Sequence, residues 1–170
     1  MRINQPRILI VEDDEGHAIL MRQSLAAVGL DNPIEHFRDG QAALDFLFKR
    51  GPGRVRESDQ AYLVLLDIRM PKVDGVEVLR RIKADTELRK LPVIMLTTTD
   101  DPREVELCHD LGCNSYIVKP VDYEKFAQAI KHLGLYISLV EIPGTAPKHP
   151  RAEPAESGRR RPPAGDAPAA

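Results

Sequence analysis

The chain has 170 residues, 14 of them proline, and a net charge of −2. Seven prolines fall in residues 143–170, a stretch without Leu, Ile, Val, Phe or Tyr. That stretch is expected to be a disordered Pro/Ala-rich tail, leaving residues 1–142 for one domain. This excludes an enzyme with separate cofactor and substrate domains, and the mildly acidic body argues against a chain built mainly to grip nucleic acid by its phosphates.

Apolar runs alternate with helical patterns. Ile8–Val11 is the first predicted strand. Ala18, Met21, Leu25 and Val28 then recur at three- and four-residue steps, with Gly29 as a stop. Ile34–Phe37 is the second strand, followed by a helix carrying Ala43, Leu44, Leu47 and Phe48. A long loop, Gly51 to Gln60, leads to the third strand, Tyr62–Leu66, and to a helix with Val76, Leu79 and Ile82. Val93–Leu96 and Tyr116–Val118 are the fourth and fifth strands. Val105 and Leu111 mark the helix between them, and Phe126, Ile130 and Leu133 the last one. Most of the strands are short, continuous and aliphatic, as in strands buried on both faces. The expected fold is α/β, a doubly wound five-stranded parallel sheet with helices on both sides.

Ligands in such sheets bind beyond the carboxyl ends of the strands. Glu12, Asp13 and Asp14 follow the first strand, Asp67 and Arg69 the third, Thr97, Thr98 and Thr99 the fourth, and Lys119 and Pro120 the fifth. Asp13, Asp14 and Asp67 brought together repel one another unless a cation lies between them, and hard oxygen ligands suit Mg²⁺. Asp67 is then placed to attack phosphorus, with Lys119 and the Thr97 hydroxyl answering the new phosphoryl charge. A lone acid here reads more readily as a solvated loop carboxylate, and Asp13 or Asp14 also as a helix N-cap; five such residues after four strand ends do not. Cys108 and Cys113 match no CxxC spacing and read as reduced core thiols. No signal peptide or membrane-length apolar run is visible, so a cytoplasmic protein without membrane contact is expected.

Four motifs carry a resemblance: Ile-Val-Glu-Asp-Asp (10–14), Leu-Leu-Asp-Ile-Arg-Met-Pro-Lys-Val-Asp-Gly (65–75), Val-Ile-Met-Leu-Thr (93–97) and Tyr-Ile-Val-Lys-Pro-Val (116–121). From about Arg7 to Leu133 the chain resembles a response-regulator receiver domain. The resemblance implies that Asp67 accepts phosphate from a sensor histidine kinase. It implies that Mg²⁺ is held by Asp13, Asp14, Asp67 and the Arg69 main-chain carbonyl, and that Lys119 contacts the phosphoryl group. The peptide bond before Pro120 is expected to be cis. Thr97 and Tyr116 are implied to form the switch on the outer face of the fourth helix, fifth strand and fifth helix; from residue type alone, Tyr116 is a half-buried strand tyrosine with no moving part. Arg69 and Thr99, each two residues beyond a site residue, occupy positions that tune phosphate lifetime in that family. Gly75 is expected to start the third helix where the backbone is tight.

No DNA-binding or enzymatic domain is expected after Leu133, and Arg159 to Arg161 read as a solvated cluster rather than a nucleic-acid site. Phe126, Ile130, Leu133, Ile137 and Val140 extend a four-three-four-three spacing beyond the usual last helix, with Leu135, Leu139 and Ile142 adding apolar surface. Either the helix end folds back on its own core, or this stripe is a homodimer interface. The extension, ending Leu-Val-Glu-Ile-Pro (139–143), resembles single-domain regulators paired with bacterial phytochrome kinases, which favours the dimer. The expected function is therefore a phosphorylatable signalling switch. The alternative is a relay or phosphate sink that passes the group to a histidine phosphotransfer protein. An aspartyl-phosphate phosphatase needs a second acid where Arg69 stands, so no enzyme is expected beyond self-catalysed phosphoryl acceptance and loss. A flavodoxin-like binder needs a phosphate-cradling loop where Asp13 and Asp14 stand.

Overall fold

A computed structural model describes residues 5–140 and 142. Expectations for 143–170 lie outside the described residues. The elements run β1 (Arg7–Val11), α1 (Glu15–Ala27), β2 (Ile34–Phe37), α2 (Gly40–Leu47), β3 (Tyr62–Asp67), α3 (Gly75–Ala84), β4 (Val93–Thr97), α4 (Pro102–Leu111), β5 (Ser115–Val118) and α5 (Tyr123–Leu139), with a 3₁₀ turn at Leu88–Lys90. The sheet order is β2-β1-β3-β4-β5, every neighbouring pair parallel. The α/β architecture is as the periodicity implied.

Alternation along the strands divides the core in two. Leu9, Val11, Val64, Leu66, Val93 and Met95 pack with Leu44, Leu47, Val78, Leu79, Ile82 and Cys108 of α2, α3 and α4. Their neighbours Ile8, Ile10, Leu63, Leu65, Ile94 and Leu96 face Ala18, Met21 and Leu25 of α1 and Phe126, Ile130, Leu133 and Ile137 of α5. Helices end where the backbone turns left-handed: Gly29 has φ +78° and Gly112, after α4, φ +99°. The loop from Gly51 to Gln60 is tied down by Arg56, whose buried guanidinium donates to the Leu47 carbonyl at 2.6 Å.

One expectation is corrected here. Phe126, Ile130, Leu133 and Ile137, read as a dimer interface, are buried in this chain's own core; only Val140, at the helix end, is partly exposed. The physical reason is that α5 must cover one face of the sheet beside α1, and a stripe at this spacing is what that packing needs. The helices approach closely: a Cβ at Gly134 would lie 2.8 Å from Val28 Cγ2. Ile142 also packs against this core. The apolar side chains that α5 leaves exposed are Tyr123, Leu135, Tyr136 and Leu139. No described helix is long and apolar enough to cross a membrane.

Candidate functional site

The carboxyl ends of β1, β3, β4 and β5 bring the site together. Asp67 is the last residue of β3 and is buried. Gly75, which opens α3, lets the chain return against it: a Cβ there would sit 2.1 Å from the Asp67 carbonyl oxygen, and the Gly75 amide donates to the Ile68 carbonyl at 2.9 Å. Only glycine permits this approach.

Glu12 continues β1 by donating its amide to the Phe37 carbonyl at 3.0 Å, and its side chain is 2% exposed. It forms a buried ion pair with Lys119, whose ammonium also lies 3.4 Å from Asp67 Oδ1. Glu12, Asp13 and Asp67 each present a carboxylate oxygen, all within 4.8 Å of one another. Asp14 is not in this group. Its Oδ1 accepts from the His17 amide at 2.8 Å as the N-cap of α1, and that bond holds its carboxyl below the usual range. The expected metal set is thus corrected by one position: the buried acid is Glu12, and Asp14 is the helix cap.

Burial pushes the Asp67 carboxyl up to about 7; Lys119 opposes this, while Glu12 and Asp13 add to it. Three converging carboxylates beside a single lysine leave excess negative charge in a site of oxygen donors. The donor set therefore fits a hard divalent cation.

Thr97, the last residue of β4, is fully buried, and its Oγ1 accepts from the Thr99 amide at 3.3 Å. Tyr116, on β5, is half-buried. Its hydroxyl donates to the Thr99 carbonyl at 3.2 Å and to Glu104 Oε1 of α4 at 3.3 Å. Burial first, and then the Glu104 carboxylate, push its phenol well above the ordinary range. Arg69 is mostly exposed and reaches Glu104 Oε2 at 3.3 Å. The peptide bond before Pro120 is trans, contrary to the cis expectation. Trans is the favoured isomer of an X–Pro bond by about 0.5–1 kcal/mol.

The structure thus brings Asp13, Asp67 and Lys119 together, sets Thr97 at the neighbouring end of β4, and adds two residues that sequence reasoning passed over. Glu12 had a signal, as the first acid after a strand that it prolongs. Glu104 had none, because its partner Arg69 lies 35 residues away.

The profile of the response regulator receiver domain matches residues 8–131. Response regulator Rcp1 of a Synechocystis species is 34% identical over 82% of this chain and 95% of its own length. Its Mn²⁺-bound crystal structure superposes with a TM-score of 0.74 at 30% identity, covering 82% of this chain and 99% of that one. A receiver domain from Rhodospirillum rubrum is 41% identical, with a TM-score of 0.76 over 83% of this chain and 99% of that chain. The bacteriophytochrome response regulator RtBRR is 40% identical, with a TM-score of 0.63 over 75% of this chain and 78% of that chain. With acids, lysine and hydroxyl assembled at the strand ends and these matches across most of its length, the chain belongs to the response regulator receiver domain family, and among its relatives are phytochrome-associated response regulators.

Proposed function

We propose that this protein accepts a phosphoryl group on Asp67 from the phosphohistidine of a sensor kinase and signals through its α4-β5-α5 face. The observation that carries this reading is Asp67 itself: a buried strand-end carboxylate, 3.4 Å from a buried lysine and clustered with two more acids. A carboxylate oxygen of Asp67 forms the new bond to phosphorus as the phosphorus–nitrogen bond breaks, and the electron pair leaves with the imidazole. Lys119 pairs with the transferred group, and Thr97 turns its hydroxyl toward a phosphoryl oxygen. Glu12, Asp13, Asp67 and the Arg69 carbonyl would hold Mg²⁺, which supplies positive charge against the phosphoryl oxygens. Hydrolysis later returns the Asp67 carboxylate and inorganic phosphate.

The switch residues are Thr97 and Tyr116, the second already tied to α4 through Glu104. We assign the kinase to the phytochrome class on the strength of the phytochrome-associated relatives. Homodimerisation, if it runs through α5, uses the exposed Tyr123, Leu135, Tyr136 and Leu139 with Val140, not the buried stripe.

The test is labelling by acetyl phosphate with Mg²⁺, with molar mass followed by light scattering. Wild type takes one phosphoryl group and Asp67→Asn none; stoichiometric labelling of Asp67→Asn refutes the site. A dimer lost on Leu139→Lys supports the exposed α5 face. A monomer at every concentration removes the dimer and favours a relay to a histidine phosphotransfer protein.

A further inference from the structure

Glu104 stands on the first turn of α4 and divides its carboxylate between two partners. Oε2 is 3.3 Å from the Arg69 guanidinium, and Oε1 accepts from the Tyr116 hydroxyl at 3.3 Å. That hydroxyl has one proton, shared with the Thr99 carbonyl at 3.2 Å. The carboxylate is 17% exposed, whereas Arg69 is 66% exposed. The acid is therefore fixed and the cation is loosely held, and an exposed ion pair of this kind is easily exchanged.

A phosphoryl group carries close to two negative charges and accepts strong hydrogen bonds from guanidinium. Arg69 lies two residues beyond Asp67, so phosphorylation offers it a better partner than half of a carboxylate. Once Arg69 leaves, Glu104 keeps Tyr116 as its remaining partner with its charge less compensated. The shared proton then shifts toward Glu104 and away from the Thr99 carbonyl. This loosens the turn after β4, where the Thr99 amide is bonded to Thr97 Oγ1 at 3.3 Å. The Thr97 hydroxyl is freed by the same exchange that moves Tyr116.

We propose that Glu104 is a positioning residue for the phosphoryl site: it holds Arg69 in reserve in the resting protein, and the release of Arg69 transmits the event to Tyr116 and the Thr97–Thr99 turn. The proposal rests on Asp67 being the phosphoacceptor.

The test uses the full chain in four forms: wild type, Arg69→Ala, Glu104→Gln and the double variant. Acyl-phosphate decay is followed after acetyl phosphate and Mg²⁺. Arg69→Ala should decay about two- to fivefold faster, having lost a cation from the phosphoryl group, and Glu104→Gln slower by a similar factor, its Arg69 no longer contested. In the Arg69→Ala background Glu104→Gln should change nothing; an equal effect in both backgrounds overturns the proposal. The second readout is the ¹⁹F resonance of fluorotyrosine at position 116, assigned with Tyr116→Phe. In resting protein, Arg69→Ala should move it toward its phosphorylated wild-type position, and only while Glu104 is present. A resonance indifferent to Arg69→Ala overturns the proposal even if wild type takes no phosphoryl group. Absence of labelling in wild type instead overturns the phosphoacceptor reading, so the two failures are distinguishable.

Discussion

Two clusters of opposite charge lie at the same edge of the sheet, and burial separates their roles. In the first, Lys119 pairs with Glu12 and Asp67, with side-chain exposures of 3% and 2% for the lysine and Glu12. In the second, an Arg69 that is 66% exposed meets Glu104. Charges taken out of water are costly to leave unpaired, so the inner cluster cannot rearrange unless another charge replaces the one that moves. The outer pair is screened and gains little, so it exchanges partners readily. The inner cluster is suited to holding a reaction centre, and the outer one to reporting on it.

The largest expected effect comes from breaking the inner cluster. Lys119→Ala leaves Glu12 and Asp67 buried without their cation and should lower metal-free stability by about 3 kcal/mol, read from urea unfolding. Mg²⁺ should recover much of that loss and still bind, while the response to phosphorylation fails. A Lys119→Ala protein as stable as wild type without metal would mean that the inner cluster is as loosely held as the outer.

How far this contrast was legible in the sequence depends on the distances involved. Strands and helices were legible because each carries its own period, and Asp67, Thr97 and Lys119 because each stands where an apolar run ends. Glu12 was displaced by Asp14 because three adjacent acids differ only in where the backbone turns; an N-cap role was open to Asp13 and Asp14 alike, and only the fold shows that Asp14 takes it. The stripe from Phe126 to Ile137 carried a real periodicity with two possible partners, and the nearer one, α1, took it. The Arg69–Glu104 pair joins two loops' worth of sequence with no local mark.

A middle-sized effect sharpens the same contrast through pH. The Asp67 carboxyl titrates near 7 in the fold, pushed up chiefly by burial, against an ordinary value of 3.8. Between those values the folded chain holds a proton that the unfolded chain has released. Metal-free stability should therefore fall as pH rises from about 4 to about 7 and level off above, by about 2–4 kcal/mol in all. Asp67→Asn should remove this slope and be the more stable protein at pH 7.5. Mg²⁺ reverses the order by binding the ionised wild type more tightly as pH rises through that window. A parallel pH dependence in wild type and Asp67→Asn would assign the slope to other groups.

The smallest effect on stability belongs to the outer pair and is informative for that reason. Arg69→Ala and Glu104→Gln should each change unfolding free energy by less than about 1 kcal/mol, insensitive to Mg²⁺ and weaker still at high salt. A loss as large as that of Lys119→Ala would make Glu104 a structural anchor of α4, and a carboxylate that α4 needs for folding cannot be released by phosphorylation. If the loss is small, any change these substitutions produce in phosphate lifetime arises at the site itself, because the fold around it has not been disturbed.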